Sequence, residues 1–118
     1  MIVAKNDYDL ADRLENFAAS IILQYSKMPT SYAAQYLAQQ LIRSSCSTAL
    51  NYGEALGAGT LKDQLNKLRI TLKELRECLR NLNIQSKAKL LDDEVVNKLR
   101  NENDQLIRIV VTIIKNKS

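Results

Sequence analysis

Between residues 60 and 85 the chain carries six cations against three anions, and most of the cations stand one position after a leucine. Lys62, Arg69, Lys73, Arg76 and Arg80 follow Leu61, Leu68, Leu72, Leu75 and Leu79, while Asn66 and Asn83 follow Leu65 and Leu82. The leucines recur at alternating spacings of four and three, so they form one apolar stripe on a helix and the cations form a second stripe beside it. A row of cations suits one chemistry above others, the neutralisation of a polyanion such as a nucleic-acid backbone. The same row also serves simply to keep a helical seam wet. With Lys67 and with Arg43 from the preceding segment, the candidate nucleic-acid contacts are Arg43, Lys62, Lys67, Arg69, Lys73, Arg76 and Arg80. No aromatic-rich surface accompanies them, so base-specific reading of single strands is not expected.

Arg43, Ser47, Asn51 and Glu54 stand at spacings of four, four and three, which puts them on one helical face. Ser44, Ser45, Cys46 and Thr48 make the same stretch small and polar, suited to close helix approach. This face reads first as structural, a set of inter-helix hydrogen bonds and salt bridges, because buried polar groups are ordinarily satisfied by partners. Glu74 and Glu77 are placed to pair with Lys73, Arg80 or a neighbouring subunit.

Catalysis is not expected. General acid-base work at neutral pH draws on a histidine or a perturbed carboxylate, and the chain has no histidine. Glu54, Glu74 and Glu77 could meet as paired carboxylates, but the Glu-x-x-His motif of di-iron bundles is missing. Gly53, Gly57 and Gly59 lack the Lys-Ser/Thr that completes a phosphate loop. Two cysteines, Cys46 and Cys78, are too few for a structural zinc site and read as reduced, half-buried packing residues. No cofactor and no metal are expected. The start of the chain lacks the pattern of a signal peptide and no apolar run approaches a membrane span, so a cytoplasmic location without membrane contact is expected.

Positioning these residues requires helices. The chain has 118 residues with three glycines and one proline, which favours a single all-α domain spanning residues 1–118. A first helix begins near Asn6 or Asp7, with Asp7, Asp9 and Asp12 at its positive end. It carries Leu10, Leu14, Phe17, Ile21, Tyr25 and Met28 on one face and ends at Pro29. Thr30 or Ser31 caps a second helix from about Tyr32 to about Leu56, closed by glycines that accept the left-handed conformation. Thr60 and Asp63 resemble a capping box for the leucine helix. That helix is expected to end near Asn83, with residues 86–91 as a connector.

Asp92, Asp93 and Glu94 start a fourth helix that continues through Val96, Leu99, Asn103, Leu106, Val110 and Ile113. Its second half adds Ile107, Ile109, Val111 and Ile114, an apolar circumference that must be buried on more than one side. The strand propensity of Val, Ile and Thr argues the other way, but the helical spacing upstream continues. Four amphipathic helices with short connections describe an up-down-up-down four-helix bundle. The excess apolar face of the fourth helix, with Ile70 off the seam of the third, points to self-association.

The stretch Leu41-Ile42-Arg43-Ser44-Ser45-Cys46-Ser47, running on to Asn51-Tyr52-Gly53-Glu54-Ala55, resembles the bacterial four-helix bundle proteins related to the 23S rRNA intervening-sequence protein. The block Lys62-Asp63-Gln64-Leu65-Asn66-Lys67-Leu68, followed by Ile70-Thr71-Leu72-Lys73-Glu74-Leu75-Arg76-Glu77, is similar to the third-helix pattern of that family. The resemblance covers nearly the whole chain and implies a homopentamer. A related branch, the accessory protein of diversity-generating retroelements, is a more strongly basic pentamer that binds nucleic acid and its reverse transcriptase. The expected partners are therefore other copies of the chain, and RNA or a nucleic-acid-associated protein. The alternative is a structural or protein-interaction scaffold without nucleic-acid binding.

Overall fold

The computed structural model describes residues 5–118, with side chains from Asp9 onward. It contains four helices, α1 (Lys5–Tyr25), α2 (Tyr32–Leu56), α3 (Leu61–Lys87) and α4 (Asp93–Lys117). Each packs against the next and α4 returns to α1, giving the antiparallel four-helix bundle that the patterning predicts. The Asp7 side chain, expected at the positive end of α1, lies outside the described residues.

Local chemistry sets the boundaries. α1 stops at Tyr25, four residues before Pro29, and Met28 is buried from the loop rather than from the helix. The Tyr25 hydroxyl donates to Gln35 Oε1 at 2.6 Å, which pins α1 to the next helix. Ser31 caps α2 by accepting from the Ala34 N–H at 3.2 Å, and Thr60 caps α3 by accepting from Asp63 N–H at 3.1 Å. Contrary to the expected left-handed closure, no glycine has positive φ, and α2 ends on Gly57 at φ −92.

α3 runs one turn beyond its expected end. It finishes in a Schellman motif, with Leu90 N–H donating to the Gln85 carbonyl at 3.0 Å and Lys89 N–H to the Ser86 carbonyl at 3.1 Å. The left-handed position is filled by Lys89 at φ 58, not by a glycine. The expected connector at residues 86–91 is thereby partly helix.

The core is Leu10, Leu14, Phe17 and Ile21 from α1, Ala38, Leu41 and Tyr52 from α2, Leu65, Leu68, Leu75 and Leu82 from α3, and Val96, Leu106 and Val110 from α4. At roughly 25 cal/mol per Å² of apolar area removed from water, this burial is the main term holding the helices together. Of the leucine ladder, Leu72 and Leu79 are half-buried and Leu61 is exposed. α3 instead widens its buried arc with Thr71, Glu74, Cys78, Asn81 and Gln85. α2 in turn buries the small Ser44, Ser45 and Thr48, with Ser44 Oγ donating to Glu77 Oε2 at 3.5 Å, so the α2–α3 seam is partly polar. Asn81 Nδ2 donates to the Leu37 carbonyl at 2.9 Å and Gln85 Nε2 to Asn81 Oδ1 at 2.7 Å. On the other flank Asn103 Nδ2 donates to the Leu75 carbonyl at 3.0 Å, tying α4 to α3.

α4 absorbs its own apolar excess. Ile107, Ile109 and Ile114 are partly buried against the core, and the described large apolar residues left exposed lie on the other three helices. α1 and α4 close the ring through Arg13, whose guanidinium meets Glu102 at 2.7 and 3.1 Å and Gln105 at 3.0 Å. Among the described residues no helix is long and apolar enough to cross a membrane.

Candidate nucleic-acid interface

With 3.6 residues per turn, Lys62, Arg69, Lys73, Arg76 and Arg80 fall within an arc of about 60° on α3. All five are exposed. Because the helix continues past Asn83, Lys87 joins the same arc, and it too is exposed. The six ammonium and guanidinium groups form a line about 37 Å long, at 1.5 Å of rise per residue. Among the described residues none of the six takes part in a salt bridge. An open groove of 370 Å³ runs along the line, walled by Arg69, Leu72, Lys73, Arg76, Glu77 and Arg80. Lys87 was missed by the sequence reading because the helix was ended too early, although it lies seven residues beyond Arg80.

Two candidates leave the line. Lys67 sits on the α2 side of α3 and holds Glu54 at 3.0 Å. Arg43 lies on α2, with its guanidinium 3.7 Å from Glu77 and 4.0 Å from Glu74. Glu74 and Glu77 thus turn to Arg43, not to Lys73 or Arg80. The polar face of α2 is half inter-helical: Arg43 and Glu54 reach α3, whereas Asn51 Nδ2 donates within the helix to the Ser47 carbonyl and hydroxyl, each at 2.9 Å.

Burial, first, and then the hydrogen bond and negative charge of Glu77 hold the Glu74 carboxyl above the usual glutamate range, against a smaller opposing effect of Arg43. One Glu74 oxygen, Oε2, is buried without a hydrogen bond. Glu54 does not join this carboxylate pair. Cys78 is fully buried rather than half-buried, and burial pushes its thiol far above the ordinary range, so it offers no thiolate at neutral pH. Both cysteines are free. Among the described residues no group of three or more Cys, Asp and Glu stands where it would hold a metal ion.

A second groove, of 530 Å³, opens between α1 and α4 against Phe17, Val95 and Leu99. It gathers no row of like charges.

A family model described as 23S rRNA-intervening sequence protein matches residues 6–112. A crystal structure of a protein of unknown function from the S23 ribosomal protein family of Bacteroides thetaiotaomicron is similar at 26% identity and a TM-score of 0.87. The match covers 93% of this chain and 98% of that one. No curated protein matches.

Proposed function

We propose, from the premise that the chain belongs to the 23S rRNA-intervening sequence protein family, that it is a non-enzymatic, self-associating bundle that binds RNA through the outer face of α3. The observation that carries this reading is the exposed, unbridged row Lys62, Arg69, Lys73, Arg76, Arg80 and Lys87. Among the described residues Arg13, Arg43, Lys67 and Arg108 meet carboxylates. Six on α3 do not and share one line, where they gather positive charge suited to a polyanion, and Glu77 is the one carboxylate among the residues that wall the groove.

Self-association multiplies the effect. Each copy brings a further row, and joined rows bind by effective concentration where a single row binds weakly. The family resemblance makes a homopentamer the expected assembly.

A second reading rests on the ion pairs Arg43–Glu77 and Glu54–Lys67, which use the polar face to hold helices in register, as a protein scaffold would. The two readings diverge on Arg69→Glu with Arg76→Glu. RNA binding predicts an intact oligomer by light scattering with lost, salt-sensitive binding to structured RNA, while the scaffold predicts disrupted assembly. An intact wild-type oligomer that binds no structured RNA at low salt overturns the RNA reading.

A further inference from the structure

The adjoining surface of α2 and α3 carries a pattern that phosphate binding leaves unused. Tyr36, Arg43 and Leu50 recur every seven residues on α2, and Ile70, Glu77 and Ile84 every seven on α3, so each trio keeps to one line along its helix. Both lines read apolar, charged, apolar. Three contacts fix their relative height: Leu37 with Asn81, Arg43 with Glu77, and Glu54 with Lys67. In that antiparallel register Tyr36 stands level with Ile84, and Leu50 with Ile70.

These side chains are open to solvent. Leu50 is 69% exposed, Tyr36 and Ile84 51%, and Ile70 38%. With Tyr32, stacked on Tyr36 at a centroid distance of 6.2 Å, they make up five of the nine large apolar residues exposed among the described ones. An apolar patch of this extent marks an interaction surface, and tyrosine and arginine are the residues that anchor such surfaces.

We propose that this face joins copies of the chain, the α2 line of one copy lying against the α3 line of the next. A rotation axis parallel to the bundle preserves height. It therefore sets Tyr36 on the partner's Ile84, Arg43 on the partner's Glu77 and Leu50 on the partner's Ile70, matching apolar to apolar and cation to anion in one step. A second copy carries the complementary series by construction, whereas any other protein would have to reproduce it.

The charges have capacity to spare. Arg43 lies within ion-pair distance of Glu77 but outside hydrogen-bond distance, and the two side chains are 59% and 42% exposed, so donors and acceptors remain for a neighbour. The operation serves a two-fold dimer or a closed ring equally. In either, the row of cations lies beside the α3 line, centred about 70° from it around the helix, and Glu77 borders both.

This inference rests on the self-association in the proposed function and fails separately from the RNA binding. Leu50→Cys and Ile70→Cys are placed in separate chains carrying Cys46→Ser, co-expressed and oxidised. The expected result is a two-chain disulfide band at least about tenfold stronger than in either variant alone. Leu50→Glu with Ile84→Glu, both at exposed positions, is expected to reduce the light-scattering mass to one chain with the helical circular dichroism retained. An oligomer that survives these glutamates, or one that forms no cross-link, overturns the assignment of this face. A wild-type chain that stays monomeric yet binds RNA with steep salt dependence overturns it too, while leaving the α3 row standing.

Discussion

Neutralising the cations of α3 one at a time separates those that meet phosphate from those that hold the fold. Arg76 and Arg80 are exposed, line the groove and take part in no salt bridge among the described residues, whereas Lys67 is occupied with Glu54 at 3.0 Å. Counterion release makes log K fall with log salt by about 0.7 per phosphate contact on a single strand and about 0.9 on a B-form duplex. A row of six cations therefore sets a slope of about −4 to −5 per chain when fully engaged. Arg76→Gln removes one contact, which reduces the slope by about 0.7 to 0.9 and weakens binding about five- to eightfold at 0.1 M salt. Adding Arg80→Gln compounds this to about 25- to 60-fold, since the two act on separate phosphates. Lys67→Gln leaves the slope in place and costs only an exposed ion pair, about 0.2–1 kcal/mol of folding stability. The assay is fluorescence anisotropy of a labelled structured RNA between about 50 and 200 mM salt, with light scattering on the same samples. Equal slope changes for Lys67→Gln and Arg76→Gln, or none for the Arg76→Gln, Arg80→Gln pair, refute the assignment of phosphate contacts to this row.

Two further outcomes concern the fold. Because burial and Glu77 raise the Glu74 carboxyl, the folded state holds a proton that the unfolded chain has already lost, so stability falls as pH rises from the ordinary glutamate range to the raised value. Glu74→Gln is expected to flatten that part of the profile and to raise the thermal midpoint at neutral pH; a profile identical to wild type refutes the argument. Lys89 holds a left-handed φ of 58 at the end of α3, where a side chain costs about 1 kcal/mol relative to glycine. Lys89→Gly is expected to raise the urea midpoint despite the added freedom of the unfolded chain, and a lowered midpoint counts against it.

The fold was legible wherever one-dimensional signals and three-dimensional demands coincide. Ser31 and the run to Leu56 gave α2 its observed bounds, and the apolar spacing of α1 and α4 named most of their buried residues. The end of α3 was not legible, because its Schellman motif is filled by Lys89 and carries no glycine to announce it. That one misplacement hid Lys87. The small polar stretch Ser44, Ser45 and Thr48 marked the α2 side of the polar α2–α3 seam, but its α3 side was hidden: apolar periodicity marks leucines, whereas α3 lies between two neighbours and buries Thr71, Glu74, Asn81 and Gln85 outside the ladder. Arg43 and Lys67 shared their charge with the unbridged row, but Arg43 stands on α2 and Lys67 about 140° around α3 from Lys62, and their partners lie far along the chain, Glu77 34 positions from Arg43 and Glu54 13 positions from Lys67.

Pairing across helices is a property of register, and register fixes more than these two pairs. The same heights that bring Arg43 to Glu77 leave Tyr36, Leu50, Ile70 and Ile84 level and exposed in a sequence whose remaining apolar periodicity is largely spent on the core. A seven-residue recurrence on the outside of two adjacent helices costs solubility unless it is covered. Its coincidence with a loosely held Arg43–Glu77 pair at mid-height is what a neighbour of the same sequence would complete, and the α3 cations lie beside that line without crossing it. On the two proposals together, one helix divides its exposed arc between two partners, copies of the chain on the side toward α2 and polyanion on the rest.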